Sequence, residues 1–386
     1  MYFDYAATTP LHPKALEAMM PFLTGNFANP SSAYTPAREA RKAIDKARQI
    51  VAEAIGAKPD EIYFTSSGTE ADNWAIKGAL EGKNARHIIT SAIEHHAVLY
   101  TCKYLEKQGF DITYLPVDED GFVSPSDLEA AIRPDTVFAS IIMANNEVGT
   151  IQPLVEIGEI TRKAGVILHT DAVQAVGHIP VDVNGLNIDA LSLSAHKFYG
   201  PKGVGAQYIR KGTPIAPMLQ GGAQERGRRA GTENVAGIVG LAAALEASLE
   251  EQPQEQPRLT ALRDRLIDEI LSSIPHARLN GARHNRLPGN VNISFAFIEG
   301  ESLLLHLDMQ GCQASTGSAC SSGALEPSHV LTAMGISHEL TNGAIRFSLG
   351  RDTTDDDVSK LVPMLSKSVG RLRELSPLYD DFLKKR

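Results

Sequence analysis

Apolar positions along the chain follow two different spacings, and segments of the two kinds alternate. Helical spacing relates Ala43, Ile44, Ala47, Ile50, Val51, Ala54 and Ile55. Short apolar runs, which predict strands, occupy 61–65, 87–90, 136–143, 166–170, 190–194 and 204–209. Helical segments that begin near Thr69 or span about 94–108 and 153–164 separate most of these runs. This alternation predicts an α/β fold in which a mostly parallel sheet is covered by helices on both faces.

The spacing changes in the last third of the chain. Two prolines among polar residues at 249–257 predict a linker or a joint between two helices. A long helix (258–273), a strand (290–297), a short helix, a second strand (344–349) and a final helix follow, which is an α+β pattern. We therefore expect a large domain over 14–254 and a smaller one over 255–386, completed by the N-terminal segment 1–13.

Composition and charge exclude several classes of function. The 386 residues include 37 Lys and Arg against 46 Asp and Glu, a formal net charge of −9, which argues against a dedicated nucleic-acid binder. No run approaches the roughly 18 consecutive apolar residues of a membrane span. The N-terminus lacks the pattern of a secretory signal. Three cysteines, an odd number in a long chain, favour free thiols in a reducing cytosol.

Candidate chemistry lies just after the predicted strands, because ligands of open α/β sheets bind beyond the strands' carboxyl ends. Gly68 and Thr69 follow the first strand and open a helix, where N–H groups hold anions. Taken alone, an ordinary N-cap explains them better. Asn146 follows a later strand and is also typical of a turn. Asp171 and Gln174 follow the next strand. An aspartate at that place is either a cap or the partner of a basic ring nitrogen.

Lys197 follows the strand 190–194 and precedes two aromatic residues and a glycine. A lysine is usually a solvated surface residue. Among such neighbours at a strand end, desolvation favours the neutral amine, which makes Lys197 a candidate for a Schiff base with a carbonyl group. Lys202, in a Pro-Lys-Gly turn, is the weaker candidate.

Two further candidates come from the last third of the chain. Cys320 stands among small polar residues at 315–323, so we expect it on a mobile or exposed loop, as a nucleophile rather than a buried inert thiol. Arg346 shares one strand face with Ala344 and Ser348, which leaves room for a ligand. It is equally suited to a substrate carboxylate and to a structural salt bridge.

A metal site is not expected. His95 and His96 are adjacent at the start of a helix, so their side chains point about 100° apart. The chain has no Cys-x-x-Cys and no His-Glu-x-x-His motif.

These motifs, taken in order, resemble the cysteine desulfurase family of the class V aminotransferases. They comprise Asp4–Pro10, Asn29–Ser32, Asn145–Gly149, His169–Gln174, Ser194–Lys197, Gln224–Thr232, Ser315–Cys320 and Arg346–Arg351. The Gly-Ser-Ala-Cys segment is similar to that of the NifS/IscS-type subgroup. The resemblance implies a fold-type I pyridoxal phosphate enzyme. Its large domain would have a mostly parallel sheet of the seven-stranded type, beside a smaller α+β domain.

The resemblance also implies a role for each candidate residue. Lys197 would hold pyridoxal phosphate and carry protons, and Cys320 would attack the sulfur of L-cysteine, leaving alanine and a persulfide. The implied cofactor-binding set is Gly68, Thr69, His95, Asp171, Gln174, Ser194, His196, Lys197 and, from a partner subunit, Thr232. Asn146 and Arg346 would hold the substrate carboxylate. His95 would stack on the cofactor ring and assist proton transfer.

Other functions on the same scaffold stay open at this point. They are a selenocysteine lyase, another class V aminotransferase and, without catalysis, an inactive assembly subunit. The family resemblance further implies a homodimer, which the cysteine count would place in the cytoplasm. It would pass sulfur to an acceptor protein, such as an iron–sulfur scaffold or a tRNA-thiolation enzyme, with no direct contact with nucleic acid or membrane.

Overall fold

The computed structural model describes residues 1–82, 86–316 and 327–384, and within them the chain forms two sheets. Seven strands make the larger sheet: β1 (Ile62–Thr65), β2 (His87–Ser91), β3 (Asp111–Leu115), β4 (Thr136–Ser140), β5 (Ile167–Asp171), β6 (Ala190–Ser194) and β7 (Gly205–Ile209). Their spatial order is β1-β7-β6-β5-β4-β2-β3. The pairs from β3 to β6 are parallel, whereas β7 is antiparallel to both β6 and β1. The sheet is therefore mostly parallel, as predicted.

Helices pack on this sheet and connect its strands. In the first two thirds of the chain they are α1 (Pro13–Thr24), α2 (Thr35–Ala54), α3 (Gly68–Leu80), α4 (His96–Glu106), α5 (Pro125–Ala131), α6 (Leu154–Ala164) and the short turn α7 (Gln224–Gly227). Local sequence sets several of their ends. The Ser67 hydroxyl accepts a hydrogen bond from the N–H of Glu70 at the start of α3, and Gly165 ends α6 in the left-handed conformation.

The last third of the chain builds a second layer. It contains helices α8 (Val235–Ser273), α9 (Gly300–Asp308), α10 (His329–Ala333), α11 (His338–Asn342), α12 (Asp355–Glu374) and α13 (Pro377–Lys384). Strands β8 (Ala277–Leu279), β9 (Asn290–Phe295) and β10 (Ala344–Ser348) form an antiparallel sheet in the order β10-β9-β8. No helix in the described ranges is long and apolar enough to cross a membrane.

Each sheet has its own hydrophobic core, and the N-terminus joins the second one. Phe3 is fully buried with Val291, Phe347 and residues of α8 and α12. The N–H of Ser348 donates to the carbonyl of Phe3 at 2.7 Å. This hydrogen bond fixes Phe3 beside the end of β10. The residues that follow Phe3 then continue toward the larger sheet.

The prolines at 253 and 257 do not interrupt the helix, which differs from the expected linker. Helix α8 runs continuously through both of them, and the proposed domain boundary near residue 254 falls inside it. Both prolines are exposed and four residues apart, so they share the outer face of the helix. Leu245 packs in the first core and Leu259 in the second. Packing at both ends outweighs a cost of about 3 kcal/mol for each internal proline. The division into two domains stays a prediction.

Two strands escaped the sequence analysis. Strand β3 alternates weakly and is partly exposed, because it forms an edge of the larger sheet. Strand β8 has only three residues, each of them half-buried. Neither gives the run of apolar residues by which the central strands were predicted.

Candidate functional site

A cavity of about 310 Å³ lies beyond the carboxyl ends of β4, β5 and β6. Ten of the predicted site residues line it: Gly68, Thr69, His95, Asn146, Asp171, Gln174, Ser194, His196, Lys197 and Arg346. The parallel strands explain this convergence, since their carboxyl ends meet at one edge of the sheet. Arg346 reaches the same cavity from β10 of the second sheet.

Lys197 projects from the turn that follows β6 toward the N-terminal segment. Its Nζ donates hydrogen bonds to the carbonyl oxygens of Ala6, at 2.6 Å, and Ala7, at 2.8 Å. The side chain is half-buried and lies in the wall of the cavity. The N-terminal segment therefore holds the amine at the surface that a ligand would occupy.

His95 is the N-cap of α4 and is held in one orientation. Its Nδ1 accepts a hydrogen bond from the N–H of Ala97 at 3.1 Å, which leaves the proton on Nε2. Burial, with a smaller contribution from the charge of Lys197, lowers the pKa of His95 to about 4. The ring is therefore neutral at neutral pH and can stack on a flat ligand.

Asp171 ends β5 as a buried carboxylate. One of its oxygens accepts a hydrogen bond from the N–H of Val173 at 2.9 Å. Burial raises the pKa of Asp171 to about 6, so the group is still mostly ionised at neutral pH. The next residue along this wall, Gln174, donates from Nε2 to the carbonyl of Ala6 at 3.0 Å. Both side chains are thus restrained by backbone groups.

The start of α3 forms a place for an anion beside Ser194 and His196. A Cβ added to Gly68 would lie 2.6 Å from Cγ2 of Val173, so only glycine lets the helix approach the turn after β5 this closely. The helix N-terminus carries a partial positive charge and N–H groups that have no partner within the helix. The imidazole of His196 lies 3.1 Å from the Thr8 hydroxyl, and burial lowers the pKa of His196 to about 4. This corner therefore offers neutral donors and the helix dipole.

Arg346 is buried and held by two partners. Its Nη1 donates to the carbonyl of Asn146 and its Nη2 to the carboxylate of Asp4, both at 2.9 Å. The Nε of Arg346 is buried without a hydrogen-bond partner among the described residues. That N–H is available to a ligand carboxylate. The structure thus shows the structural ion pair that the sequence left open for Arg346, and the binding of a substrate carboxylate stays a prediction.

Two predicted residues are not in this cavity. Thr232 is exposed and lines a separate cleft with Ser66, Arg229 and Glu233. Cys320 lies outside the described residues.

The residues on either side of 317–326 are anchored at the cavity rim. The backbone of Ser315 exchanges two hydrogen bonds with Arg346, and His329 donates from its ring to the carbonyl of Glu94 at 3.0 Å. The hydroxyl of Ser328 donates to the buried carboxyl of Glu147. The described chain thus ends next to Arg346 and resumes next to Glu94 and His96.

Four features of the site were not predictable from the sequence in this way: Asp4, the carbonyls of Ala6 and Ala7, and Asp72. The first three belong to a motif that was noticed but given no role, and only the tertiary fold brings it to Lys197. Asp72 comes three residues after Thr69 on α3, so helical spacing puts the two on one face. That spacing was the available signal.

One group of possible metal ligands occurs in the described part of the chain. An oxygen of Asp72, an oxygen of Asp171 and a ring nitrogen of His95 lie within 4.8 Å of one another. All three line the floor of the same cavity. One of the three, Asp171, is the residue that the sequence predicts as the partner of a basic ring nitrogen.

The profile of the Aminotransferase class-V family matches residues 1–361. Cysteine desulfurase IscS of Dictyoglomus turgidum is 57% identical over 380 residues, which cover 98% of this chain and 96% of that protein. Cysteine desulfurase IscS of Methanosarcina thermophila is also 57% identical, covering 98% of this chain and 94% of its own length.

Solved structures give the same result at the level of the fold. A NifS-like protein superposes with a TM-score of 0.91 at 41% identity, covering 96% of this chain and 100% of its own. The protein SspA, solved in complex with cysteine, superposes with a TM-score of 0.80 at 40% identity, covering 90% and 98%. Both similarities extend over almost the whole length of each chain.

Proposed function

This chain belongs to the aminotransferase class-V family, among the cysteine desulfurases, and from that premise we propose that it transfers the sulfur of L-cysteine to Cys320. The products are L-alanine and a persulfide. The observation that carries the proposal is the convergence of Lys197, Asp171, His95 and Arg346 on one cavity. A covalent amine, a carboxylate, a flat neutral ring and a carboxylate receptor are the groups that such a reaction requires.

The cavity residues fit pyridoxal phosphate. Lys197 would bind it covalently, and the start of α3 with Ser194 and His196 would hold its phosphate. Asp171 would face the ring nitrogen, Gln174 the phenolic oxygen, and His95 the ring face. When bound, the cofactor supplies an electron sink for bond cleavage in the substrate. The protein supplies the orientation and the charges.

Arg346 and Asn146 would bind the substrate carboxylate, because the buried Nε of Arg346 lacks a partner among the described residues. Lys197, once released from the cofactor, would carry protons at its Nζ. Cys320 would attack the substrate sulfur as a thiolate. The carbon–sulfur bond of the substrate breaks, the sulfur–sulfur bond to Cys320 forms, and a proton replaces sulfur on carbon. No external oxidant or reductant is needed for this transfer.

The anchors on either side of 317–326 support the assignment to Cys320. Cys320 is the fourth residue after Thr316, the last residue described before it, and four extended residues reach about 14 Å. Ser315 is hydrogen-bonded to Arg346, which lines the cavity. Covalent geometry therefore lets the thiol reach a substrate held at Arg346.

A homodimer would complete the site. Thr232 lies in a cleft apart from Lys197, so it can serve a phosphate at that site only in a second copy. Apolar side chains near α1 are exposed in the single chain: Leu16, Met20, Leu23 and Phe27, the last at 84%. An exposed apolar stripe of this kind favours a subunit interface. We further propose a cytoplasmic enzyme that hands sulfur to an iron–sulfur scaffold or a tRNA-thiolation enzyme.

The decisive experiment compares the parent protein with Cys320→Ala. Each is loaded with pyridoxal phosphate and given L-cysteine with a thiol reductant, and sulfide and alanine are measured together. We expect equal amounts of both products from the parent and only background from the variant. Cys102→Ala is the matched control, because burial raises the pKa of that thiol to about 12 and makes it unreactive.

Other outcomes would redirect the assignment. Undiminished alanine from Cys320→Ala would show that another group accepts the sulfur. A parent that makes no alanine from L-cysteine, but makes it from selenocysteine, would be a selenocysteine lyase. A parent that exchanges amino groups without releasing sulfide would be an aminotransferase.

A further inference from the structure

A second buried carboxyl lies beside Asp171, and the sequence motifs give it no role. Asp72 projects from the first turns of α3 and is 1% exposed. It lines the same cavity, with one oxygen within 4.8 Å of an oxygen of Asp171. When two buried carboxyls lie this close, the negative charge of one disfavours ionisation of the other, which favours a pair that holds one proton.

No base in the described part of the chain neutralises Asp72. The basic group that lies within 4 Å of its carboxyl among the described residues is His169, whose Nε2 is 3.6 Å from Oδ1 of Asp72. The two nitrogens of His169 lie 2.9 Å from the hydroxyls of Ser140 and Ser192, and burial lowers the pKa of His169 to about 3. The imidazole is therefore neutral and leaves Asp72 without a counter-charge.

The surroundings of the two acids differ, and the difference decides where the proton resides. Asp171 accepts the Val173 N–H, and the charge of Lys197 favours its ionised form. The Oδ1 of Asp72 has no hydrogen-bond partner in the described residues. Burial and the negative charge of Asp171 raise the pKa of Asp72 well above its usual range, and the Ser192 hydroxyl offsets only part of this effect.

Other titratable groups around Asp72 add to the same tendency. Glu94 follows β2 and is fully buried, and it raises the pKa of Asp72 further only as it ionises, because burial raises the pKa of Glu94 itself to about 8. His95 faces the pair from the start of α4 and is neutral at neutral pH, as described above. The acids thus outnumber the cations at this floor of the cavity.

We propose that Asp72 is a positioning residue, which keeps the single proton of the pair and so leaves Asp171 as the anion facing the cofactor's ring nitrogen. One negative charge at this place matches one protonated ring nitrogen, whereas two would leave a buried charge unpaired. The cofactor's identity rests on the proposed function. The position of the proton shared by Asp72 and Asp171 does not depend on the cofactor. The proposal about this proton and the proposed function can therefore fail separately.

The test is infrared spectroscopy of the full-length protein freed of cofactor, with 13C in its aspartate carboxyls. The label separates aspartate bands from those of Glu94, whose pKa burial raises to about 8. We expect a protonated aspartate band at pH 7 in the parent. Asp72→Asn should remove it and Asp171→Asn should keep it. The opposite pattern, or no such band in the parent, would overturn the proposal.

Two further measurements cover the case in which one variant folds poorly. Asp171→Asn should weaken pyridoxal phosphate binding roughly tenfold or more, and Asp72→Asn by much less, because only the first removes the anion. Equal losses would contradict the assignment. A carboxyl with a raised pKa lowers stability as pH rises above its unfolded value. The melting temperature of Asp72→Asn should therefore rise relative to that of the parent as the pH increases from about 4 to about 7. A constant difference would oppose the proposal.

Discussion

Arg346 shows how one residue takes its function from its neighbours. The guanidinium has five N–H donors in a fixed fork, and the protein uses two of its groups for Asn146 and Asp4. Because the Arg346 side chain is buried, it has little freedom to adopt other orientations. The remaining Nε therefore has a fixed direction, which Asp4 helps to determine.

Replacing Asp4 should accordingly weaken substrate binding. A hydrogen bond between charged groups contributes about 1.5–3 kcal/mol, so we expect Asp4→Ala to raise the KM for L-cysteine roughly tenfold with a smaller change in kcat. Asp4→Asn keeps an acceptor oxygen and should have a weaker effect. Steady-state kinetics with Asp45→Ala, an exposed aspartate on α2, as control provide the measurement. A lower KM for Asp4→Ala would mean that the charge of Asp4 repels the substrate.

At the level of elements, the contact between α3 and β5 builds the anion site. The helix starts close to the strand because Gly68 has no side chain, and Val173 occupies the space that a Cβ would need. The same turn of α3 is fixed from the other side by Glu70, which accepts two hydrogen bonds from Arg229 at 2.7 and 2.9 Å. The helix N-terminus is therefore clamped between two elements.

Gly68→Ala should release this clamp and weaken cofactor binding. The added methyl must push α3 from β5, and overpacking of this kind costs about 1–3 kcal/mol. We expect the dissociation constant of pyridoxal phosphate, followed by absorbance, to rise roughly tenfold. The matched control is Gly370→Ala in α12, where a Cβ would meet no atom within 4 Å. Unchanged affinity in Gly68→Ala would show that the close approach is not needed.

At the scale of the whole molecule, the active site draws on both sheets and on both ends of the chain. Lys197 comes from the larger sheet, Arg346 from the smaller, and Ala6 and Ala7 from the N-terminal segment between them. The proposed second copy adds Thr232. The site of a single chain therefore depends on both sheets and on the N-terminal segment.

Mixing two inactive variants tests this assembly. Lys197→Ala lacks the covalent amine, and Thr232→Ala would lack the phosphate ligand that a neighbour supplies. If Thr232 acts across the interface, a heterodimer has one site that carries both defects and one intact site. We expect activity to return after equal amounts of the two variants are unfolded and refolded together, toward about one quarter of the parent's activity per site, because about half of the dimers are heterodimers and each of these has one intact site of two. Refolding each variant alone is the control. No recovery in a dimer would place Thr232 in its own subunit's site.

The sequence by itself determined the central strands and most of the predicted site. Apolar runs mark buried parallel strands, and reactive residues after such runs meet at one sheet edge, so Thr69, Asp171, Gln174 and Lys197 were predictable. Exposed β3 and short β8 were not, because weak or brief alternation gives no periodic signal. The continuous helix α8 was also missed, since the packing of its two halves overrides the local effect of proline.

Only the tertiary structure decided which residues are neighbours across long separations in the chain. Asp4 and Arg346 are 342 residues apart, and no local pattern relates them. The partners of Lys197 are backbone carbonyls, which every residue has and no sequence distinguishes. Asp72 is an ordinary helical aspartate until burial places its carboxyl beside Asp171. Spacing fixes the face on which a side chain lies, whereas its protonation depends on the charges and the solvent that the fold arranges around it.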